Sequence, residues 1–231
     1  MKRDGIVRIR RAALAAAVTL IGSGAFAADL AERMAPAEAP VDIAAQSPWQ
    51  IRVRGLGVIT NDSGYVDAIP GSGLTYSNTV VPELDISYFF TDNIAAELIL
   101  GTTYANVNAA DSIAGLGKVG KTWLLPPTLT LQYHFTDFGA FKPYVGAGVN
   151  YTLFYNQSGS GDFTDLDVKN KVGAALQVGF DYMIDQHWGV NFDVKKLFLE
   201  PEWKVNYQGT PLTGKAKLDP WLVGAGITYR F

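Results

Sequence analysis

The sequence predicts an all-β fold, an eight-stranded antiparallel β-barrel that spans a membrane, and three observations support this prediction. Apolar and polar residues alternate with a period of two in eight segments after residue 48. These segments are joined by short and long links in turn. One side of the segments carries fifteen aromatic rings, which is more than the interior of an eight-stranded barrel can hold.

The residues before the predicted barrel have two parts. A basic stretch is followed by an apolar run at 12–21 and by Ala-Phe-Ala ending at residue 27, so residues 1–27 are predicted to be a secretory signal peptide. The apolar run falls short of the roughly 20 residues that a membrane-spanning helix needs. Residues 28–48 are rich in alanine and proline and lack periodicity, and we expect a flexible lead-in to the barrel at 49–231.

The first four strands are predicted at 49–60, 80–90, 94–104 and 124–135. Each has about the 9–11 residues that a tilted membrane strand needs, with aromatic residues on one side and charged, polar or small residues on the other. A tight turn, TDN, joins the second strand to the third, whereas long links follow the first and the third. Such alternation is typical of bacterial outer-membrane barrels, with tight turns in the periplasm and long loops outside the cell.

The last four strands are predicted at 144–154, 171–183, 188–199 and 221–231. Their glycines share the inward side with the charges, as in VGAGVNY and VGAGITY of the fifth and eighth strands. An even number of strands puts both chain ends in the periplasm. The eighth strand ends at Phe231, so we expect it to pair with the first strand and, through its terminal aromatic residue, to be recognised by the barrel-assembly machinery.

The ring-bearing side is predicted to contact outer-membrane lipids. The interior of an eight-stranded barrel is just wide enough for side chains to fill it, so the rings have no room there. They also fall mainly near strand ends, where aromatic girdles form. Lys196 is an exception, a charge on the lipid-facing side that we expect to snorkel or to lie at a bulge. The rings are Trp49, Tyr88, Phe90, Tyr104, Tyr133, Phe135, Tyr151, Phe180, Tyr182, Trp188, Phe192, Phe198, Trp221, Tyr229 and Phe231.

Composition excludes several kinds of site. The chain contains no cysteine, so disulfides and thiolate metal sites are excluded, and with only two histidines we expect no metal site or cofactor. Removal of residues 1–27 takes away five Lys/Arg and one Asp and leaves a formal charge of −7. Such a charge does not favour nucleic acid as a partner.

The predicted inward residues differ between the two halves of the barrel. Near the periplasmic end they are charged or polar, and buried charges persist only when paired, which predicts a plug of ion pairs. Glu83, Asp85 and Lys195 interrupt this division. Near the outer end the inward residues are apolar, and they either fill a narrow barrel or line a pocket for small apolar solutes. The pocket candidates are Leu56, Val58, Ile99, Phe154, Leu197, Leu199 and Leu222.

An apolar solute in such a pocket could leave only sideways, through the barrel wall, because the charged plug blocks the way down. Proline cannot donate a hydrogen bond to a strand ladder and therefore weakens a wall. Pro82, Pro126 and Pro127 fall near the outer ends of the second and fourth strands and are the candidates for a lateral opening. They also fit ordinary transitions from loop to strand.

Two further patterns point to other functions. GLGKVGKT at 115–122 matches the phosphate-loop pattern, but the prolines that follow forbid the helix that such a site requires, and we expect a flexible outer loop. Ser87 and His134 both project inward, as the nucleophile and base of a lipid-modifying enzyme would. They lie on non-adjacent strands among plug charges, so we predict that the chain is not an enzyme.

Five segments in a fixed order closely resemble the outer membrane protein W (OmpW) family, from about Trp49 to Phe231. The resemblance implies a barrel in the Gram-negative outer membrane with a hydrophobic channel that releases small apolar molecules laterally. Relatives in this family help alkanes to enter cells, and some serve as bacteriocin receptors. The segments are TDNIAAELI (91–99), LPPTLTLQYHF (125–135), FKPYVGAGVNYTLF (141–154), VGAALQVGFDYMI (172–184) and LDPWLVGAGITYRF (218–231).

Two hypotheses for the function follow from the resemblance and the residues together. The first is a passive channel for small hydrophobic molecules with lateral release into the bilayer. The alternative is a structural or stress-related outer-membrane protein whose outer loops bind partners. Two features depart from the family: residues 28–48 are not part of its pattern, and Lys195 interrupts an otherwise apolar channel.

Overall fold

The computed structural model describes residues 47–231. The predicted signal peptide, 1–27, and nearly all of the predicted lead-in, 28–48, lie outside these residues. No helix in the described part of the chain is long and apolar enough to span a membrane. The strands are β1 Trp49–Ile59, β2 Gly64–Val66, β3 Ser72–Tyr76, β4 Thr79–Phe89, β5 Ile94–Gly101, β6 Thr103–Asp111, β7 Lys118–Leu125, β8 Thr128–His134, β9 Phe141–Gly159, β10 Phe163–Val168, β11 Lys171–Met183, β12 Trp188–Phe198, β13 Glu202–Tyr207, β14 Thr210–Ala216 and β15 Trp221–Arg230, with a 3-10 helix at Ala114–Leu116.

Eight strands close into an antiparallel barrel, which confirms the predicted fold. They follow one another in the order β11-β12-β15-β1-β4-β5-β8-β9, and β9 pairs with β11 to complete the ring. The first and last strands pair from Gln50↔Arg230 to Ile59↔Trp221, and the Phe231 amide donates to a carbonyl at the start of β1 at 3.2 Å. Tight turns join β4 to β5, β8 to β9 and β11 to β12 at the end of the barrel where residues 47 and 231 lie. We call this the turn end.

The aromatic side of the barrel wall faces outward, as the volume argument predicts. Of the fifteen predicted rings, Tyr104, Phe180 and Tyr229 are half-buried and the others are exposed. Lys196, the exception on this side, donates to a backbone carbonyl, and its Nζ lies 5.0 Å from the centroid of the Trp221 ring. Its charge is therefore held at the rim of the barrel by polar and aromatic partners.

The long connections form a cap of strands at the other end of the barrel. The end of β9 with β7, β6 and β3 continues the barrel wall in that order. A second, four-stranded sheet has the order β10-β13-β14-β2. Buried apolar side chains of the two sheets, among them Leu74, Val107, Phe163 and Trp203, pack in one cluster. The cap therefore has a hydrophobic core of its own.

The prediction of a flexible loop at 115–122 is wrong. β7 begins at Lys118 and pairs with both β6 and β9. At Gly120 the neighbouring backbone comes so close that an added Cβ would lie 2.4 Å from the Ser158 carbonyl oxygen. A strand and not a helix therefore follows the glycine-rich segment, and the geometry of a phosphate loop is not formed.

Candidate functional site

The half of the barrel at the turn end is filled by buried ion pairs, which together with their neutral partners we call the plug. The Arg52 guanidinium lies between two carboxylates, with Nη1 2.5 Å from Glu97 Oε1 and Nη2 2.7 Å from Asp181 Oδ2. All three side chains are buried. Burying any one of these charges without its partner would cost free energy, because the buried charge has lost its contact with water.

The upper part of the plug is built around Arg54 and Lys195. Arg54 Nη2 is 2.9 Å from Glu83 Oε1, and Nη1 is 3.5 Å from Asp193 Oδ1. Asp85 also lies within ion-pair range of Arg54. Lys195 Nζ bridges Glu83 and Asp193, at 3.0 and 2.6 Å. The sequence predicted a charged half and an apolar half of the barrel, and three charges interrupted this division. They are Glu83, Asp85 and Lys195, and they form the upper edge of the plug, in contact with the charges below.

Neutral side chains complete the plug. Gln132 and Gln177 both donate to Glu97 Oε2, at 2.6 and 2.8 Å. The Tyr144 hydroxyl donates to Asp193 Oδ2 at 3.1 Å. The plug thus joins side chains from β1, β4, β5, β8, β9, β11 and β12, and it closes the lumen toward the turn end.

An apolar cavity, which we call the lower cavity, lies above the plug inside the barrel. Its volume is about 60 Å³, and Glu83 and Lys195 border it from the plug. Six of the seven predicted pocket residues line this cavity. They are Leu56, Val58, Ile99, Leu197, Leu199 and Leu222.

The seventh predicted residue, Phe154, lines a second apolar cavity within the cap, which we call the upper cavity and which has a volume of about 40 Å³. Ala105, Leu124 and Leu218 line both cavities. The partition between the cavities is therefore apolar. The two cavities therefore follow one another between the cap and the plug, separated by these shared residues.

Two residues of the upper cavity, Tyr76 and Trp203, were not identified from the sequence. Trp203 lies in EWKVNY, where exposed and buried residues alternate, and this period of two is a strand signal that points to an inward Trp203. Tyr76 ends the strand β3, in which almost every residue is buried, so no alternation of exposed and buried residues marks it.

The barrel wall is interrupted beside the lower cavity. The ladder between β5 and β8 stops at Ile99↔Thr128, and pairing resumes only at Thr103, between β6 and β7. The predicted prolines Pro126 and Pro127 occupy the gap. Pro126 lines the lower cavity, whereas Pro127 borders an apolar groove on the lipid side of the wall. This short unpaired segment is therefore what separates the cavity from lipid.

Pro82 lies beside a second interruption. The ladder between β4 and β5 ends at Glu83↔Gly101, and the next link along this seam is the 2.6 Å hydrogen bond between the Thr79 and Thr103 hydroxyls. Pro82 itself is exposed on the lipid side. The three predicted prolines thus lie at two breaks in the wall, on either side of the junction between β5 and β6.

The structure does not bring Ser87 and His134 together as a nucleophile and a base. Ser87 Oγ accepts a hydrogen bond from Arg52 Nη1 at 3.1 Å. His134 Nε2 lies 3.0 Å from Gln132 Oε1. Both side chains belong to the plug. Within residues 47–231, no group of three or more His, Asp or Glu side chains is arranged to hold a metal ion.

Comparison with known proteins identifies relatives of the whole barrel. The OmpW family profile matches residues 45–231. The chain is 66% identical to the uncharacterized outer-membrane protein y4mB of Sinorhizobium fredii, over 97% of both chains. It is 32% identical to outer membrane protein AlkL of Ectopseudomonas oleovorans, over 71% of each chain. The crystal structure of OprG from Pseudomonas aeruginosa superposes with a TM-score of 0.73 at 26% identity, and covers 80% of this chain and 97% of OprG.

Proposed function

Because this chain belongs to the OmpW family of Gram-negative outer-membrane barrels, we propose that it is a passive channel that passes small hydrophobic molecules from the cell surface into the bilayer. One observation carries the proposal: an apolar path ends above a charged floor and beside a break in the wall. The family resemblance found in the sequence motifs is confirmed by the match over residues 45–231.

The path begins in the cap. Ile69, Leu116 and Leu212 line the upper cavity but are only half-buried, so we place its mouth at these residues. A solute moves from there to the lower cavity past Leu124 and Leu218, which line both. Because both cavities are smaller than a solute, these side chains must part as it passes. Transfer between two apolar surroundings lets the solute avoid water throughout.

The exit is lateral. Passage toward the turn end would require the solute to displace ion pairs that have no access to water, and to leave their charges unpaired. The gap at Pro126 and Pro127 offers a route that breaks no ladder hydrogen bond. The apolar groove outside it, lined by Leu98, Leu129 and Val149 among others, receives the solute at the level of the lipid chains.

The orientation in the membrane follows from the same scheme. The turn end, with both chain ends, faces the periplasm, and the cap faces the outside of the cell, where the solutes are. The final strand ending at Phe231 is the segment by which barrel-assembly machinery recognises the chain. Binding of bacteriocins stays a prediction.

Replacing Ile99 with aspartate is expected to slow uptake roughly tenfold or more, because a solute beside an unpaired carboxylate loses on the order of 1–3 kcal/mol. Phe154→Asp places the same charge in the upper cavity and is expected to act alike. The measurement is the rate at which 1-N-phenylnaphthylamine becomes fluorescent in intact Gram-negative cells that lack a chromosomal homologue and express each variant.

The matched controls are Ile99→Val and Phe154→Leu, which keep both positions apolar and should leave the rate unchanged. Barrel formation is checked for every variant by its heat-sensitive mobility in gel electrophoresis. Unchanged uptake in both aspartate variants, with folded barrels, would show that the path through the two cavities is not used.

A further inference from the structure

We propose that Asn150 is the positioning residue of the lateral exit: its side-chain amide holds the Pro126 carbonyl out of the strand ladder, so that the barrel wall stays unpaired beside Gly101. This role rests on the proposed channel function, because it concerns the place where the solute leaves the barrel. Asn150 lies on β9, the neighbour of β8 on the side away from the gap.

The missing N–H of proline does not by itself explain the gap, because one acceptor of the ladder is still present there. At the turn end of β8, the His134 amide donates to the Asn93 carbonyl at 2.7 Å, so the even-numbered residues of β8 direct their backbone groups toward β5. When the register of the β5–β8 ladder is continued by two residues beyond Thr128, Pro126 lies opposite Gly101. A regular ladder would therefore join the Gly101 amide to the Pro126 carbonyl.

This hydrogen bond is not formed. In the described part of the chain, no hydrogen bond joins the Gly101 amide to the Pro126 carbonyl. The carbonyl accepts instead from two side chains, Asn150 Nδ2 at 3.1 Å and Thr128 Oγ1 at 3.0 Å. Gly101 and Pro126 both line the lower cavity, so the unmade bond lies at the exit itself.

The Asn150 side chain is fixed in this arrangement. It is buried, with 1% of its surface exposed. Its Nδ2 also lies 2.8 Å from Thr128 Oγ1 and 3.4 Å from the Pro127 carbonyl oxygen, and its Oδ1 accepts from Thr152 Oγ1 at 2.6 Å. A carbonyl can only accept a hydrogen bond, so the nitrogen of the amide must be the atom that faces the prolines.

These contacts explain how a break in the wall persists at membrane depth. A backbone carbonyl without a donor is costly in hydrocarbon, and the Asn150 amide supplies the donor that the ladder does not. Without this amide, the Pro126 carbonyl gains most by turning to the Gly101 amide opposite. The ladder would then close across the exit, and a solute would have to break a backbone hydrogen bond to leave.

Asn150→Leu tests the arrangement directly, because it removes the amide and keeps a side chain of similar volume. In the protein refolded in detergent micelles, we expect the NMR signal of the Gly101 amide proton to move downfield as it becomes hydrogen-bonded. The Ile99 amide, already within the ladder, is the internal reference and should not move. The double variant Asn150→Leu/Thr128→Val removes both side-chain donors and should give the larger shift.

In cells, Asn150→Leu should lower the rate of 1-N-phenylnaphthylamine uptake about two- to tenfold, the range that one net hydrogen bond provides. The matched control is Gln157→Met on the same strand. The Gln157 amide donates to the Val168 carbonyl at 3.1 Å, away from the gap, so its loss should change neither the Gly101 signal nor the uptake. If Asn150→Leu does not fold, Asn150→Ala decides, since it removes the amide and adds no bulk.

The two measurements separate this inference from the channel proposal. An unmoved Gly101 signal overturns the role of Asn150 and leaves the lateral exit standing. A faster uptake would mean that Asn150 holds the exit shut, and this also overturns the inference. A shifted signal with unchanged uptake would show that the wall closes as described but that solutes leave elsewhere, which overturns the lateral exit.

Discussion

Replacing Arg54 with methionine is expected to lower the free energy of unfolding by about 3–5 kcal/mol, as for other buried ion pairs that lose one partner. Methionine keeps an unbranched apolar stem like that of arginine and lacks the guanidinium, so the main change is the loss of the positive charge. Glu83 and Asp193 keep Lys195 as a counter-ion after the change. Asp85 does not, because Arg54 is its only ion-pair partner in the described structure. Urea unfolding of the protein refolded in lipid vesicles, followed by tryptophan fluorescence, measures the loss.

A second substitution separates charge from packing. In the Arg54→Met background, Asp85→Asn removes the uncompensated carboxylate and is expected to restore most of the stability, since no unpaired charge remains. Asp85→Asn alone should cost less than Arg54→Met alone, because Arg54 retains Glu83 and Asp193. An unfolding midpoint for Arg54→Met equal to that of the wild type would mean that these ion pairs are hydrated and that the plug does not seal the lumen.

The barrel could be predicted from the sequence because the features that identify its strands and their lipid-facing side are local in the chain. A period of two identifies each strand without knowledge of its neighbours, and side-chain volume alone assigns the ring-bearing side to lipid. The same alternation placed Leu56 and Ile99 on the inward side near the outer end, where the structure brings them around one cavity. Strand order and closure then follow from the alternation of short and long connections.

The cap could not be predicted, because its strands are short and pair across long stretches of chain. β2 has three residues and pairs with β14, about 150 positions later. β10 carries a bulge at which Asp165 adopts a φ of 53°, so its alternation is broken. The contact of Lys195 with Glu83, which lies 112 residues earlier, depends on barrel closure in the same way. The sequence pattern therefore identified Lys195 as an inward charge, but it could not predict the ion pair with Glu83 that places Lys195 in the plug.

A disulfide across the gap in the wall is expected to stop lateral release. When the register of Ile99↔Thr128 is continued by one residue, Leu100 faces Pro127 across the break. Opposite positions of antiparallel strands lie about 4.5–5.5 Å apart at Cα, which a disulfide can span. The chain has no cysteine of its own, so the double variant Leu100→Cys/Pro127→Cys forms a single defined link. Oxidation should reduce uptake of 1-N-phenylnaphthylamine to that of cells without the protein, and reduction should restore it.

The matched control is Ala96→Cys/Leu131→Cys, a directly opposite pair on the same two strands, where the ladder is already continuous. A disulfide there adds a covalent link to a closed part of the wall, so uptake should not depend on oxidation. Reduced Leu100→Cys/Pro127→Cys protein serves as its own reference, because loss of the proline alters the wall before any link forms. Normal uptake through the fully oxidised Leu100→Cys/Pro127→Cys barrel would mean that solutes leave elsewhere, and the seam between Thr79 and Thr103 would be the next place to close.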